Sequence, residues 1–369
     1  MIFYFWFLFH VSVSWAKLAP QEGLEKVYKN LEELKFVNSS AALSHIPSKI
    51  PSFTEQFDLS RNHLMVIPKG AFTALHRLRV LLMNDNNISS IEDGAFSFLE
   101  SLHRLDLSCN KISALSDGFF RGLGSLRDLL LSENQLMALP SRSLQHLDNL
   151  QKLILSRNDI GFIEIRAFGH LTQLRQLHLD KNKLTILGYS IFSMLKSLEI
   201  LSLQENQING TEVGVFTPLT SLVVLNMTNN LLETIQFKTF LSIHTYGTHI
   251  LLAQNRWHCD CDLQRVFRKL QSVQRLILDD YSHLTCQEPP ELHGRRLEEV
   301  DNQLCIRETV TVLVITLTVV ITVVVAIVMA ERNGKKITGK HWSEESNLSY
   351  DSQDQLTHRP LRRHYGLSG

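Results

Sequence analysis

The chain has 369 residues, with 37 basic and 37 acidic side chains and a formal net charge of zero. A balance of that kind supplies no global field to steer the molecule toward nucleic acid or an anionic lipid surface, so any electrostatic recognition has to be local. Five cysteines are too few for a disulfide-stapled miniprotein, and four of them, Cys259, Cys261, Cys286 and Cys305, cluster toward the C-terminus, which indicates one small covalent cap.

Residues 1–16, MIFYFWFLFHVSVSWA, are almost wholly apolar, and Ser14 and Ala16 stand where signal peptidase accepts small residues. This predicts a secretory signal peptide. The segment lacks Lys and Arg, and an uncleaved anchor is the alternative, but so short an apolar run does not comfortably span hydrocarbon. Over residues 21–36, Leu24, Val27, Leu31 and Leu34 recur at helical spacing and predict an amphipathic helix.

From residue 53 to 255 the sequence repeats. Asn62, Asn86, Asn110, Asn134, Asn158, Asn182, Asn206 and Asn230 recur every 24 residues, and Asn255 follows after a step of 25. Around each stands the frame L-x-x-L-x-L-x-x-N-x-L, as in Leu102, Leu105, Leu107, Asn110 and Ile112. Ten residues past most of the asparagines comes a phenylalanine: Phe72, Phe96, Phe120, Phe168, Phe192, Phe216 and Phe240. Period-two runs such as Leu105-Asp106-Leu107 predict one short strand per turn, with the leucines inward and the residues between them outward. No single turn buries its own apolar face, so turns stack into a solenoid with a shared core. A buried asparagine where the chain leaves the strand offers donors and acceptors to a backbone that has no ladder there, so the asparagines have a structural cause and no assigned binding role. The phenylalanines read as a packing spine.

After the cysteine cluster, residues 309–330 hold 22 residues without a charge. At about 1.5 Å rise each they cover the roughly 30 Å apolar layer of a bilayer and predict a transmembrane helix. Arg332, Lys335, Lys336 and Lys340 follow, which marks the cytoplasmic side and gives a type I topology with residues 17–308 outside. Five threonines in this stretch, from Thr309 to Thr322, either bond a neighbouring helix or, as the simpler reading has it, their own preceding turn. The tail, 331–369, is too short for a kinase or Toll-type signalling domain. Its run WSEESNLSYDSQD, with Ser343, Ser346, Ser349, Tyr350 and Ser352, reads as an unstructured polar segment.

The 24-residue frame resembles that of extracellular leucine-rich-repeat proteins, and Asn255-Arg256-Trp257-His258-Cys259-Asp260-Cys261 resembles the start of their C-terminal cysteine cap. The resemblance implies an α/β solenoid, a horseshoe with a parallel β-sheet on its concave face, over about residues 40–305. It implies eight repeats and a partial ninth over 53–255, and a cap over 256–305. Sequence alone leaves three pairings of the four clustered cysteines open; the family pattern implies Cys259 with Cys286 and Cys261 with Cys305. Arg256 stands where the family often has proline, and residues 17–52 form a cap-like region without the cysteines that family members often carry there.

The outward strand positions are those the fold leaves free, and function is sought there. Leu130 and Ile154 stand side by side, ringed by Arg127, Lys152, Arg157, Arg175, His178 and Lys181, with Asp128, Glu133 and Asp180 among them. An apolar pair with a charged rim has the composition of a small protein interface, and a solenoid face carrying assorted charges for solubility is the plainer alternative. Four luminal sequons begin at Asn38, Asn87, Asn209 and Asn226, and a sugar on Asn226 would obstruct the C-terminal end of the concave face. A fifth, at Asn347, is cytoplasmic in this topology. His258 beside Cys259 and Cys261 has zinc-ligand chemistry, but an oxidising compartment favours disulfides, and no metal or cofactor is expected. Cys109 is the odd thiol, read as inert in preference to an intermolecular disulfide.

No P-loop, G-x-S-x-G, H-E-x-x-H or kinase signature is present. The expectation is a non-catalytic plasma-membrane protein that binds a protein ligand or membrane co-receptor through its ectodomain. Two alternatives stand beside it: an auxiliary subunit acting through its transmembrane helix, as the resemblance to potassium-channel gamma subunits suggests, and a decoy receptor without a signalling domain.

Overall fold

The computed structural model describes the backbone of residues 35–37 and 39–347 and the side chains of 39–300 and 310–332. The signal segment, residues 21–34 of the expected helix, Asn38 and the tail beyond Asn347 lie outside the described residues. The chain divides after Asp301 into two units.

The first unit is built on one sheet of eleven strands that follow the chain in order. They are β1 (Lys35–Val37), β2 (Gln56–Asp58), β3 (Val80–Leu82), β4 (Arg104–Asp106), β5 (Asp128–Leu130), β6 (Lys152–Ile154), β7 (Gln176–His178), β8 (Ile200–Ser202), β9 (Val224–Asn226), β10 (Thr248–Leu251) and β11 (Leu276–Leu278). All neighbours are parallel and in step with the repeat, so Leu105 faces Leu129, Leu129 faces Leu153 and Leu153 faces Leu177. The central residue of each strand from β2 to β9 is buried and the residues on either side reach the surface, except Ser202, which is buried. That alternation follows from the two-residue period of a strand packed on one side only. Each buried leucine or phenylalanine contributes roughly 1.5–3 kcal/mol, but only once the adjoining turns cover it.

The phenylalanine spine runs through the coil. Phe72 and Phe96 stack with centroids 5.9 Å apart, and Phe168, Phe192, Phe216 and Phe240 continue at 6.4, 6.5 and 6.0 Å. Leu144 takes the equivalent place between Phe120 and Phe168, fully buried but without a ring. The asparagines form a buried ladder. Asn110 Nδ2 donates to Met83 O of the preceding turn and Leu107 O of its own, each at 3.0 Å, while its Oδ1 accepts from Ile88 N at 2.9 Å. Every asparagine from Asn86 to Asn255 repeats this arrangement, so one side chain satisfies both sides of each bend.

The N-terminal end differs from the sequence reading. Where a helix was expected to run through residue 36, Lys35 and Phe36 lie in β1, paired with Gln56 and Phe57. An open sheet edge presents unpaired backbone groups, and an added strand satisfies them where a helix does not. Residues 39–43 complete a partial turn, with Ala41 N and Leu43 N donating to Asn62 Oδ1 at 3.1 and 3.0 Å. At the other end, helix α2 (Cys261–Ser272) follows the short helix α1 (Phe237–Leu241), and Asp260 caps α2 by accepting from Leu263 N at 2.7 Å. Buried Trp257 packs edge-on against Phe267 of α2, centroids 5.4 Å apart. Cys259 and Cys286 form a disulfide. Cys261 is also disulfide-bonded; the side chain of Cys305 is outside those described. Asp280 Oδ2 accepts from Leu252 N and Ala253 N at 2.7 and 2.6 Å, ending the backbone ladder where no further repeat supplies a carbonyl.

The second unit contains most of helix α3 (Leu297–Asn347). Its segment Val310–Arg332 has a mean hydropathy of 3.1 and is long enough to cross a bilayer. Thr316, Thr318 and Thr322 donate to Leu313 O, Ile315 O and Val319 O, so each is satisfied by its own preceding turn. The run expected to be unstructured from Trp342 is helical as far as Asn347. Once a long apolar helix is nucleated, each further residue adds a hydrogen bond at little cost, and the intervening Glu and Lys residues are good helix formers.

Candidate functional site

The exposed face of the sheet carries two rows of side chains fixed by the strand register. One runs Asp106, Leu130, Ile154, His178, Ser202, Asn226; the other runs Arg104, Asp128, Lys152, Gln176, Ile200, Val224. Leu130 and Ile154 are direct cross-strand partners and both are half-buried, so the structure brings together the apolar pair that the sequence singles out. His178 is the next residue in that row. Burial lowers its pKa below the ordinary 6.5, with Lys152 acting in the same direction and Asp180 opposing. It is a neutral imidazole at physiological pH, 3.9 Å from Asp180. Asp180 in turn accepts from Ser156 Oγ at 2.9 Å.

The rim is set by an uncommon backbone feature. Nine residues, each directly before a ladder asparagine, adopt positive φ between 53° and 58°: Arg61, Asp85, Cys109, Glu133, Arg157, Lys181, Glu205, Asn229 and Gln254. Left-handed backbone is unfavourable for residues other than glycine and persists only where the surroundings fix it, as the asparagine ladder does here. Side chains in this row therefore meet across turns. Arg157 pairs with Glu133 at 3.0 Å and Lys181 with Glu205 at 3.2 Å, and Arg175, on the opposite rim, pairs with Glu199 at 2.9 Å. Three of the candidate cations are thus engaged within the solenoid, in exposed pairs worth roughly 0–1 kcal/mol each. Arg127 and Lys152 make no ion pair with a described residue, and they are the cations free to meet a partner's carboxylates. Sequence gives the rim charges, but the internal pairing needs the register between turns.

Cys109 belongs to the same left-handed row. Its thiol points to Glu133 Oε2 at 3.6 Å. Burial first, then the carboxylates of Glu133 and Asp85, push its pKa up to about 12, which holds it as a thiol.

Among the sequons, Asn209 is exposed and Asn87 half-buried. Asn226 is held by the fold. Its Oδ1 accepts from Thr228 N and Thr228 Oγ1 at 3.0 and 2.9 Å, and its Nδ2 donates to Gln204 Oε1 at 2.9 Å. Asp58 accepts in the same way from Ser60 N and Oγ, and Asp106 from Ser108 N. The sequon at 226 therefore coincides with a turn-closing motif that acidic residues provide in other repeats.

An open cleft of about 340 Å³ at the cap is lined by Glu233, Arg256, His258, Gln287 and Glu288. Among the described residues no three His, Cys, Asp or Glu are placed to hold a metal ion.

Residues 55–108, 100–160, 148–208 and 172–232 match the family model described as leucine rich repeat. The solenoid is a leucine-rich-repeat array, and the chain is a leucine-rich-repeat protein. The structure is similar to that of human 5T4, a trophoblast glycoprotein also titled Wnt-activated inhibitory factor 1, with TM-score 0.55 and 24% identity over 72% of this chain and 92% of that one. It is also similar to a chain in an octameric complex of latrophilin 3, Unc5D and FLRT2, whose FLRT2 part is a leucine-rich-repeat domain. There the TM-score is 0.53 and the identity 26%, over 71% of this chain and 94% of that one. No curated protein matches the chain by sequence.

Proposed function

We propose that this chain is a single-pass type I protein of the cell surface whose ectodomain, residues 17–308, binds a protein partner on the exposed face of the sheet and catalyses nothing. The observation that carries the reading is the in-register pair Leu130 and Ile154, flanked by Arg127 and by Lys152, which stands opposite Asp128 without closing an ion pair to it. An apolar centre with a charged rim is the composition of a small protein interface, and its parallel strands hold it rigid, which lowers the entropic cost of binding. The apolar helix Val310–Arg332 and its basic C-terminal flank support the anchoring and its orientation. The neighbouring FLRT2 domain occurs in a complex with other proteins, which supports protein binding as the use of such a scaffold.

In this reading Cys261 pairs with Cys305, and Asn38, Asn87, Asn209 and Asn226 are the candidate carbohydrate sites. The partner face centres on Arg127, Leu130, Lys152 and Ile154, while Arg157, Arg175, His178 and Lys181 shape its border. The test is proximity labelling on intact cells with wild-type protein and with Arg127→Glu/Lys152→Glu. The reading requires that surface proteins labelled by the wild type disappear with the double variant while its surface level stays normal; an unchanged set of labelled proteins discards it.

A further inference from the structure

One flank of the coil carries short parallel strand pairs such as Ala138–Leu139 with Phe162–Ile163 and Ile186–Leu187 with Gly210–Thr211. Two residues past these strands the side chains at 24-residue intervals are Lys69, Asp93, Asp117 and Ser141, then Ile165, Tyr189, Val213 and Phe237. The first four turns show that the fold accepts polar residues at this position, so the coil's own packing does not account for the apolar run. Ile165 and Tyr189 are 68% and 58% exposed, and Phe162 and Ile186 beside them are 62% and 61% exposed. Soluble surfaces rarely leave contiguous apolar area of more than a few hundred Å² uncovered, roughly what these side chains present together.

Asn209, exposed, heads the sequon Asn209-Gly210-Thr211 at the edge of this stripe. Its backbone N–H donates to Thr185 O at 3.0 Å, and Gly210 pairs with Ile186. A Cβ at Gly210 would meet nothing within 4 Å, so open space adjoins Ile186 right beside the Asn209 stem. Tyr189 is anchored to the same turn, its N–H donating to the Glu212 carboxylate at 2.6 Å and its ring lying against Gly214. Paired parallel strands are about 4.8 Å apart, which puts Ile186 beside the turn of Asn209 and within reach of the first linked sugar ring, while Phe162 stands one 24-residue turn further along the same flank, in the separate strand pair with Ala138.

We propose that an N-linked glycan on Asn209 folds back over Gly210 and seats its first sugar rings on Ile186, Tyr189 and Phe162, closing this stripe to other partners. A pyranose ring presents C–H groups on its faces and hydroxyls at its rim, so it covers aromatic and aliphatic side chains while its polar edge stays wet. The inference rests on the extracellular placement of the ectodomain proposed above.

The test uses the full-length protein, purified from cells that glycosylate and held in nanodiscs. Mass spectrometry gives occupancy at Asn87 and Asn209, and hydroxyl-radical footprinting is read before and after enzymatic removal of N-glycans from the native protein. The expected result is an occupied Asn209 and a several-fold rise in labelling of Phe162 and Tyr189 on deglycosylation, with Tyr246, 92% exposed just ahead of β10, unchanged. Asn209→Gln should reproduce that rise, and Thr211→Ser, which keeps the sequon, should not. Equal labelling with Asn209 occupied overturns the proposal, as does a bare Asn209 on protein glycosylated at Asn87. Protection that survives deglycosylation and is lost on dilution also overturns it, by identifying a second copy as the cover. Sugar at neither site overturns it through the extracellular placement itself.

Discussion

Asn158→Ala tests the asparagine ladder at its middle. Asn158 Nδ2 donates to Leu131 O at 2.9 Å and Leu155 O at 3.1 Å, and its Oδ1 accepts from Leu136 N at 3.1 Å. Alanine leaves a buried N–H and two carbonyls short of a partner. An orphaned buried group costs about 1–3 kcal/mol, and carbonyls with a second interaction cost less, so the sum is roughly 3–5 kcal/mol. The loss concentrates on the turns that meet at Asn158, because stacked repeats couple to their neighbours. Asn158→Asp separates shape from donation: it keeps the acceptor for Leu136 N, loses both donors and sets a charge against two carbonyls, so it destabilises at least as much as alanine. The assay is urea unfolding of the full-length protein in micelles, followed by circular dichroism. Unfolding curves of either variant that overlay the wild type would refute the ladder as a source of stability.

Phe192→Ala removes a ring stacked between Phe168 and Phe216 and should cost about 3–5 kcal/mol in the same assay, whereas Phe192→Leu, the residue type that Leu144 already places in the spine, should cost far less. Cys109 should resist iodoacetamide at pH 8, where a thiol with a pKa of about 12 is ionised only about one part in ten thousand; Glu133→Gln should speed the reaction by removing the larger of the two repelling carboxylates. The His178 pKa is lowered on folding, so its contribution to stability is present above its ordinary 6.5 and is lost as pH falls through the lowered value. An NMR titration should place His178 below 6.5, and His178→Gln should lessen the acid-side loss of stability. A His178 that titrates at or above 6.5 would contradict the burial argument.

Much of the array was legible because each turn restates the same constraints. Leu105, Leu107 and Asn110 recur with fixed spacing, and a pattern of that kind has one packing solution, so strand positions and the inward set follow from sequence. The ends were less legible because nothing repeats there. The strand at Lys35–Val37 follows from the sheet edge it covers, and its residues carry no stronger strand signal than the helical spacing read across them. At the other end, β11 and the Asp280 side chain complete the sheet without an asparagine to mark the turn. For the candidate face, the Leu130 and Ile154 neighbours could be read from the period, but which cations remain free could not. That depends on which carboxylates of adjoining turns reach them: Glu133 takes up Arg157, Glu205 takes up Lys181 and Glu199 takes up Arg175. Asn226 shows the same limit: its sequon is visible in sequence, and its turn-closing hydrogen bonds are not.

The most direct test of the central claim puts a photo-crosslinking residue at Ile154 and, in a separate protein, at Met65, each expressed at the surface of intact cells. A discrete protein adduct should form at 154, suppressed by Lys152→Glu in the same chain, and none at 65. No adduct at 154, or one of equal yield at both positions, would contradict it.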